Sequence, residues 1–83
     1  MAHVSHEQAV YQDEARELVR ICAKLMIVYE EISALCTAAV EPLTVQGQQE
    51  AAEAMAERAL LAQKEAGTVE GWMTFWQQTL FSQ

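Results

Sequence analysis

Apolar side chains recur every three or four residues along the first half of the chain. The spacing alternates between four and three, which is typical of the seam of a coiled coil or helical bundle. We therefore predict one helix from about residue 5 to residue 40. It should end before Pro42, because the residue that precedes a proline disfavours the helical region. The members of this stripe are Tyr11, Ala15, Leu18, Cys22, Leu25, Tyr29, Ile32, Cys36 and Ala39.

A second stripe with the same spacing, composed largely of alanine, follows the proline. Thr44 is a candidate N-terminal cap, so we predict a second helix over residues 44–66. Gly67 suits the position just after a helix C-terminus. The members of this second stripe are Val45, Gln48, Ala52, Met55, Ala59, Ala62 and Ala66.

A third helix is predicted over residues 68–81, beginning at Thr68. Together the second and third helices match the length of the first, so they can return along it. The chain is thus expected to be a single all-α domain, residues 1–83: a long helical hairpin. Its return arm would bend near Gly67 and Gly71.

The middle of the first helix is apolar at five successive positions. A helix that is apolar on every side must be buried on every side, and one return arm covers only one of them. We expect a second copy to cover the rest, giving an antiparallel four-helix homodimer centred near Tyr29. A foreign helical partner is the alternative. The predicted dimer interface comprises Leu25, Met26, Ile27, Val28, Tyr29 and Ile32.

The charge balance narrows the classes of partner. The chain has 12 acidic against 5 Lys and Arg residues, a formal net charge of -7. This disfavours direct binding to nucleic acid or to an anionic membrane, since both require a basic surface. No apolar run approaches the roughly 20 residues of a membrane span, and the first residues lack a signal-peptide pattern. We expect a soluble, cytoplasmic protein.

Candidate catalytic or metal-binding chemistry is sparse. Cys22 and Cys36 show no zinc-ligand spacing, and in one helix they would lie about 21 Å apart, too far for an intrachain disulfide. They would face each other only between the chains of the antiparallel dimer. His3 and His6 are the only histidines, and we expect them, with Glu7, to be solvated. The sequence therefore predicts no enzyme, no cofactor and no metal.

Two groups of residues are candidate partner-binding surfaces. Aromatic residues near the C-terminus could close the hairpin or anchor a partner, because Trp is prominent among interface hot spots. Glutamates spaced along one ridge of the second helix could be a solvated face, or could imitate nucleic acid towards a basic protein. The aromatic candidates are Trp72, Phe75, Trp76 and Phe81, and the acidic candidates are Glu50, Glu53 and Glu57.

No motif of a known family accompanies these features. They favour a small acidic regulator (an adaptor, a co-chaperone or an inhibitor) that occupies the surface of a partner protein stoichiometrically. The alternative is an inhibitor that mimics nucleic acid, such as an anti-CRISPR-like protein or an antirepressor. It would block a basic nucleic-acid-binding protein through its carboxylates.

Overall fold

The structure is a computed structural model that describes residues 6–81, with side-chain environments from residue 10 onward. Two helices, α1 (His6–Val45) and α2 (Gln49–Phe81), form a hairpin. The Cα atoms span 70 × 14 × 13 Å with a radius of gyration of 19.2 Å, against about 12 Å for a compact domain of this length. The hairpin is therefore a rod. Neither helix is long and apolar enough to cross a membrane over the residues described.

The alanine stripe of α2 packs as the spacing predicts from Ala52 onward, but its first two predicted members do not: Val45 ends α1 and is exposed, and Gln48 lies in the turn. Ala52, Ala59 and Ala62 are buried, while Met55 and Ala66 are half-buried. The heptad spacing then continues to the end of the helix without interruption. The additional members are Val69, Met73, Trp76 and Leu80.

The seam of α1 differs from the predicted stripe at two alternate positions in the middle of the helix, whereas Leu18 and Ala39 are half-buried. Ala15 and Cys22 are buried as expected. Leu25 and Ile32, however, are exposed, and the residues one place later, Met26 and Ser33, face inward. The reason is that α1 carries two overlapping apolar stripes, and the predicted stripe takes alternate members from each.

The predicted end of α1 at residue 40 is wrong, because the helix passes through Pro42 and ends at Val45. A proline removes one backbone hydrogen bond from a helix. Continuing the helix nevertheless places Leu43 in a half-buried position along the seam. Thr44 does not cap the second helix: its Oγ1 donates to the Val40 carbonyl at 2.8 Å, inside α1.

The turn between the helices depends on Gly47, whose φ of 78° is the left-handed conformation. The Gly47 N–H donates to the Thr44 carbonyl at 3.0 Å, and the Gln48 N–H donates to the Leu43 carbonyl at 2.9 Å. This pair of hydrogen bonds defines a Schellman motif, which satisfies the last carbonyls of α1. The helix-ending glycine predicted at position 67 is thus found at position 47.

The predicted third helix is also wrong, since α2 continues unbroken through Gly67 and Gly71. Neither glycine has a positive φ, and the Thr68 Oγ1 donates to the Lys64 carbonyl at 3.2 Å, as it does in a helix interior. Each glycine costs about 1 kcal/mol in a helix. Val69, which is only 3% exposed, offsets this cost because burying a valine contributes about 1.5–3 kcal/mol.

Replacing Gly71 or Gly47 with alanine should therefore change the stability of the protein in opposite directions. Gly71→Ala should stabilise the protein by about 0.5–1 kcal/mol, because nothing lies within 4 Å of the added methyl group and alanine favours the helix. Gly47→Ala should destabilise it by about 1–2 kcal/mol, because alanine resists the left-handed conformation. Urea unfolding at a fixed protein concentration measures both. A loss of stability in Gly71→Ala would contradict the continuous helix α2 and would favour the predicted bend near Gly67 and Gly71.

Candidate protein-interaction surface

The hairpin buries small side chains and leaves many of its large apolar ones outside. Alanine side chains allow two helices to approach closely, yet each buries little apolar area. The seam therefore uses only a fraction of the chain's apolar surface. The buried residues are Ala15, Cys22, Ser33, Ala52, Ala59, Ala62 and Val69.

The second apolar stripe of α1, which we call the outer stripe, lies about a quarter turn around the helix from the seam. Its spacing alternates three and four, as in a coiled-coil seam, and it extends for about 26 Å along the helix. Val28 is 47% exposed and Leu35 is 72% exposed. The members of the outer stripe are Leu18, Ile21, Leu25, Val28, Ile32 and Leu35. This heptad is visible in the sequence, where it shares Leu18, Leu25 and Ile32 with the predicted stripe and was not predicted as a separate feature.

A shallow groove between the helices marks the opposite face of the hairpin. Glu30 and Thr37 of α1 line it together with Gln63 of α2. At 100° per residue, the members of the outer stripe from Ile21 onward lie about 140–180° around α1 from Glu30. The outer stripe and the groove therefore lie on opposite faces.

Two large side chains of α2 share the face of the outer stripe. Leu61 and Trp72 lie about 160° and 180° around α2 from Gln63, by the same rotation of 100° per residue. They are 59% and 56% exposed, respectively. Both helices thus contribute apolar side chains to one face of the rod.

The residues predicted for a dimer interface are divided among different sides of α1. Leu25, Val28 and Ile32 belong to the outer stripe, while Met26 and Tyr29 are half-buried along the seam. Ile27 is 56% exposed but lies only about 60° around the helix from Glu30, on the flank that bears the groove.

The aromatic residues of α2 divide in a similar way. Trp76 is half-buried and meets the Tyr11 ring edge-on, with centroids 6.2 Å apart, which ties the end of α2 to α1. The ring centroids of Phe75 and Trp76 are 5.0 Å apart, but Phe75 is 57% exposed. Phe81 is 89% exposed. Trp76 is thus part of the hairpin core, whereas Phe75 and Phe81 present free apolar surface.

The three predicted acidic residues all lie exposed on the first turns of α2. Glu53 accepts a hydrogen bond from Gln49 Nε2 at 3.3 Å. Arg58, also exposed, directly follows Glu57. The ridge is negative, but it does not form an unbroken acidic surface.

Charged residues beside the outer stripe differ in whether they are paired. Arg20 donates two hydrogen bonds to the Glu17 carboxylate. These bonds, with the positive charges of Arg20 and Lys24, lower the pKa of Glu17. The same bonds and the negative charge of Glu17 raise the pKa of Arg20. Asp13 pairs with Arg16 at 3.1 Å. Lys24 and Glu31 lie seven residues apart on the same flank and have no ion-pair partner among the described residues.

The cysteines do not lie on the outer stripe. Cys22 is buried and Cys36 half-buried, both as free thiols along the seam. The pairing predicted between the chains of a dimer would need them on another side of α1. No group of three candidate metal ligands occurs among the described residues. His3 lies outside them, as do the side chains of His6 and Glu7.

Comparison of the chain with protein-family models, with curated proteins and with solved structures gives no match.

The aromatic residues provide a test of this division between core and surface. Trp76→Ala should lower the free energy of unfolding by about 1–3 kcal/mol, because a half-buried ring and its contact with Tyr11 are lost. Phe81→Ala should change it by less than about 0.5 kcal/mol, as exposed positions usually do. Urea unfolding followed by circular dichroism measures both. Equal losses in the two variants would contradict the assignment.

Proposed function

We propose that the chain is a non-enzymatic protein-binding regulator that acts stoichiometrically through apolar helical surface. The observation that carries this proposal is the outer stripe. It has the spacing and composition of a coiled-coil seam, and its members from Ile21 to Leu35 are exposed. Monomeric proteins in water rarely expose a continuous apolar patch of this kind unless it binds something.

The total surface area supports the same proposal. The chain exposes 6318 Å², whereas a compact monomer of this mass exposes about 5,000 Å². The excess, about 1,300 Å², is larger than the roughly 800 Å² that one partner buries in a standard protein interface. The elongated shape of the rod produces this excess, which is large enough for one standard interface.

Two separate surfaces suit two roles. The outer stripe is suited to assembly with another helix pair, and a homodimer is the form that we propose. Phe75 and Phe81 lie near the end of the rod opposite the turn, and they would anchor a foreign protein. An adaptor, a co-chaperone and an inhibitor would all work in this way.

The role of Phe75 and Phe81, which we call the aromatic surface, can be tested by substitution. A tagged Phe75→Ala/Phe81→Ala variant should lose at least about thirtyfold in affinity for the partner captured by the wild-type chain, as expected when hot-spot aromatics are removed. Leu60→Ala is the matched control, because Leu60 is an apolar residue of α2 on the groove side whose exposure lies between those of Phe75 and Phe81. Capture from host lysate, followed by mass spectrometry and a binding titration, measures the change. Unaltered affinity in the double variant would overturn this role for the aromatic surface.

The nucleic-acid mimic remains the alternative function, since Glu50, Glu53 and Glu57 are all exposed. It requires that Glu50→Lys/Glu53→Lys abolish binding to a basic partner and that affinity fall steeply with salt. Glu70→Lys is a control on the same helix, because Glu70 lines the groove on the face away from the outer stripe. At 0.5 M salt the Debye length is only about 4 Å, so a partner retained there binds through apolar surface and contradicts the mimic.

A further inference from the structure

We infer that a second copy of this chain covers the outer stripe, running antiparallel about a twofold axis that passes between the two copies of α1 at the level between Ile27 and Val28. This inference rests on the proposed function and names the partner of the α1 surface. Four independent features of the hairpin lead to it: the angle between the two stripes, their spacing, the unpaired charges, and the position of large side chains on α2.

The first feature is the angle between the seam and the outer stripe. At 100° per residue, the mean directions of the two stripes differ by about a quarter turn around α1. In a four-helix bundle each helix contacts two neighbours at about this angle. The seam provides the contact with α2, so the outer stripe is placed to contact a second α1.

The second feature is the spacing of the outer stripe. A twofold axis at the level between Ile27 and Val28 places each residue of one copy at the same height along the rod as one residue of the second copy. The numbers of the two residues add up to 55. Leu25 then lies between Val28 and Ile32 of the second copy, and Ile21 lies between Ile32 and Leu35 of that copy. Each side chain fits between two others, which is the packing of a coiled coil.

The third feature is the charge of Lys24 and of Glu31, neither of which forms an ion pair at contact distance among the described residues. The same axis places Lys24 beside Glu31 of the second copy, and by symmetry it does so twice. Moving the axis by half a heptad to either side would instead set Lys24 against Lys24 or Glu31 against Glu31. In a parallel pair in register, the flank with Lys24 and Glu31 would face the opposite flank of the partner helix, so neither charge would meet a charge of opposite sign. Charge complementarity therefore favours one antiparallel register, which is the way flanking charges choose partners in coiled coils.

The fourth feature is the position of two large apolar side chains of α2 relative to the axis. Because the turn is centred on Gly47 and both helices rise 1.5 Å per residue, the axis meets α2 at the level of Ala66 and Gly67. Leu61 and Trp72 lie five to six residues on either side of that level, on the face of the outer stripe. The axis thus brings Leu61 of one chain opposite Trp72 of the other.

Cysteine cross-linking tests the inference with substitutions that preserve size and polarity closely. Val28→Cys places two thiols across the axis, so mild oxidation should give a disulfide-linked dimer on a non-reducing gel. Leu35→Cys keeps its two thiols far apart in the antiparallel pair and should give none. The wild-type chain, whose cysteines lie along the seam, is the background control. Cross-linking of both variants would establish a parallel pair, and cross-linking of neither would exclude a second copy on this face; each result overturns the inference.

Charge reversal tests the register. Lys24→Glu and Glu31→Lys should each weaken the dimer about five- to thirtyfold, measured by sedimentation, because two exposed ion pairs become repulsive. The double variant Lys24→Glu/Glu31→Lys should return to within about twofold of the wild type. Lys64→Glu, on the outer side of α2, controls for net charge. Failure of the double variant to recover would overturn this register.

A last pair of variants compares neighbouring apolar residues. Val28→Glu should give a helical monomer or an unfolded chain, whereas Ile27→Glu, on the groove flank, should stay dimeric. Equal disruption by both would overturn the assignment of the interface to the outer stripe. A monomeric wild-type chain that still captures a partner through Phe75 and Phe81 would refute the inference and keep the proposed function. A wild-type dimer that captures no partner would support the inference and refute the proposed function.

Discussion

The close pairing of two helices through alanine is the constraint on which the rest of this molecule depends. Alanine at most buried positions of α2 lets the helices approach, but the seam then buries little apolar area per residue. The larger aliphatic and aromatic side chains must lie elsewhere, and in a rod only two helices wide they lie outside. The weak core and the apolar outer face therefore have one cause, because the same choice of side chains produces both.

Much of the fold follows from the sequence because heptad spacing is a long-range regularity that many residues share. The hairpin and the alanine seam of α2 could be predicted for that reason. The helix ends could not be predicted, because Pro42, Gly67 and Gly71 act locally by a few kcal/mol at most, and packing along the seam outweighs them. Only Gly47 behaves as its residue type suggests, since there the chain must reverse.

The candidate surface was less predictable than the fold. A continuous apolar run over residues 25–29 shows that α1 is apolar all round, but it does not show which residues face α2. That assignment depends on the phase of the seam, which α2 determines through its own alanines. Once the phase is known, Leu25, Val28 and Ile32 separate from Met26 and Tyr29. Trp76 is likewise distinguished from its aromatic neighbours only by the position of Tyr11.

The hairpin topology has a consequence for anything attached to this protein. Both His6 and Phe81 lie at the end of the 70 Å rod away from Gly47. In the antiparallel pair argued above, the two open ends point in opposite directions and the rods overlap almost fully. Such a pair would act as a rigid spacer. It would hold two cargo proteins, one bound at each open end, a fixed distance of about one rod length apart, and the stiffness of continuous helices would keep that distance constant.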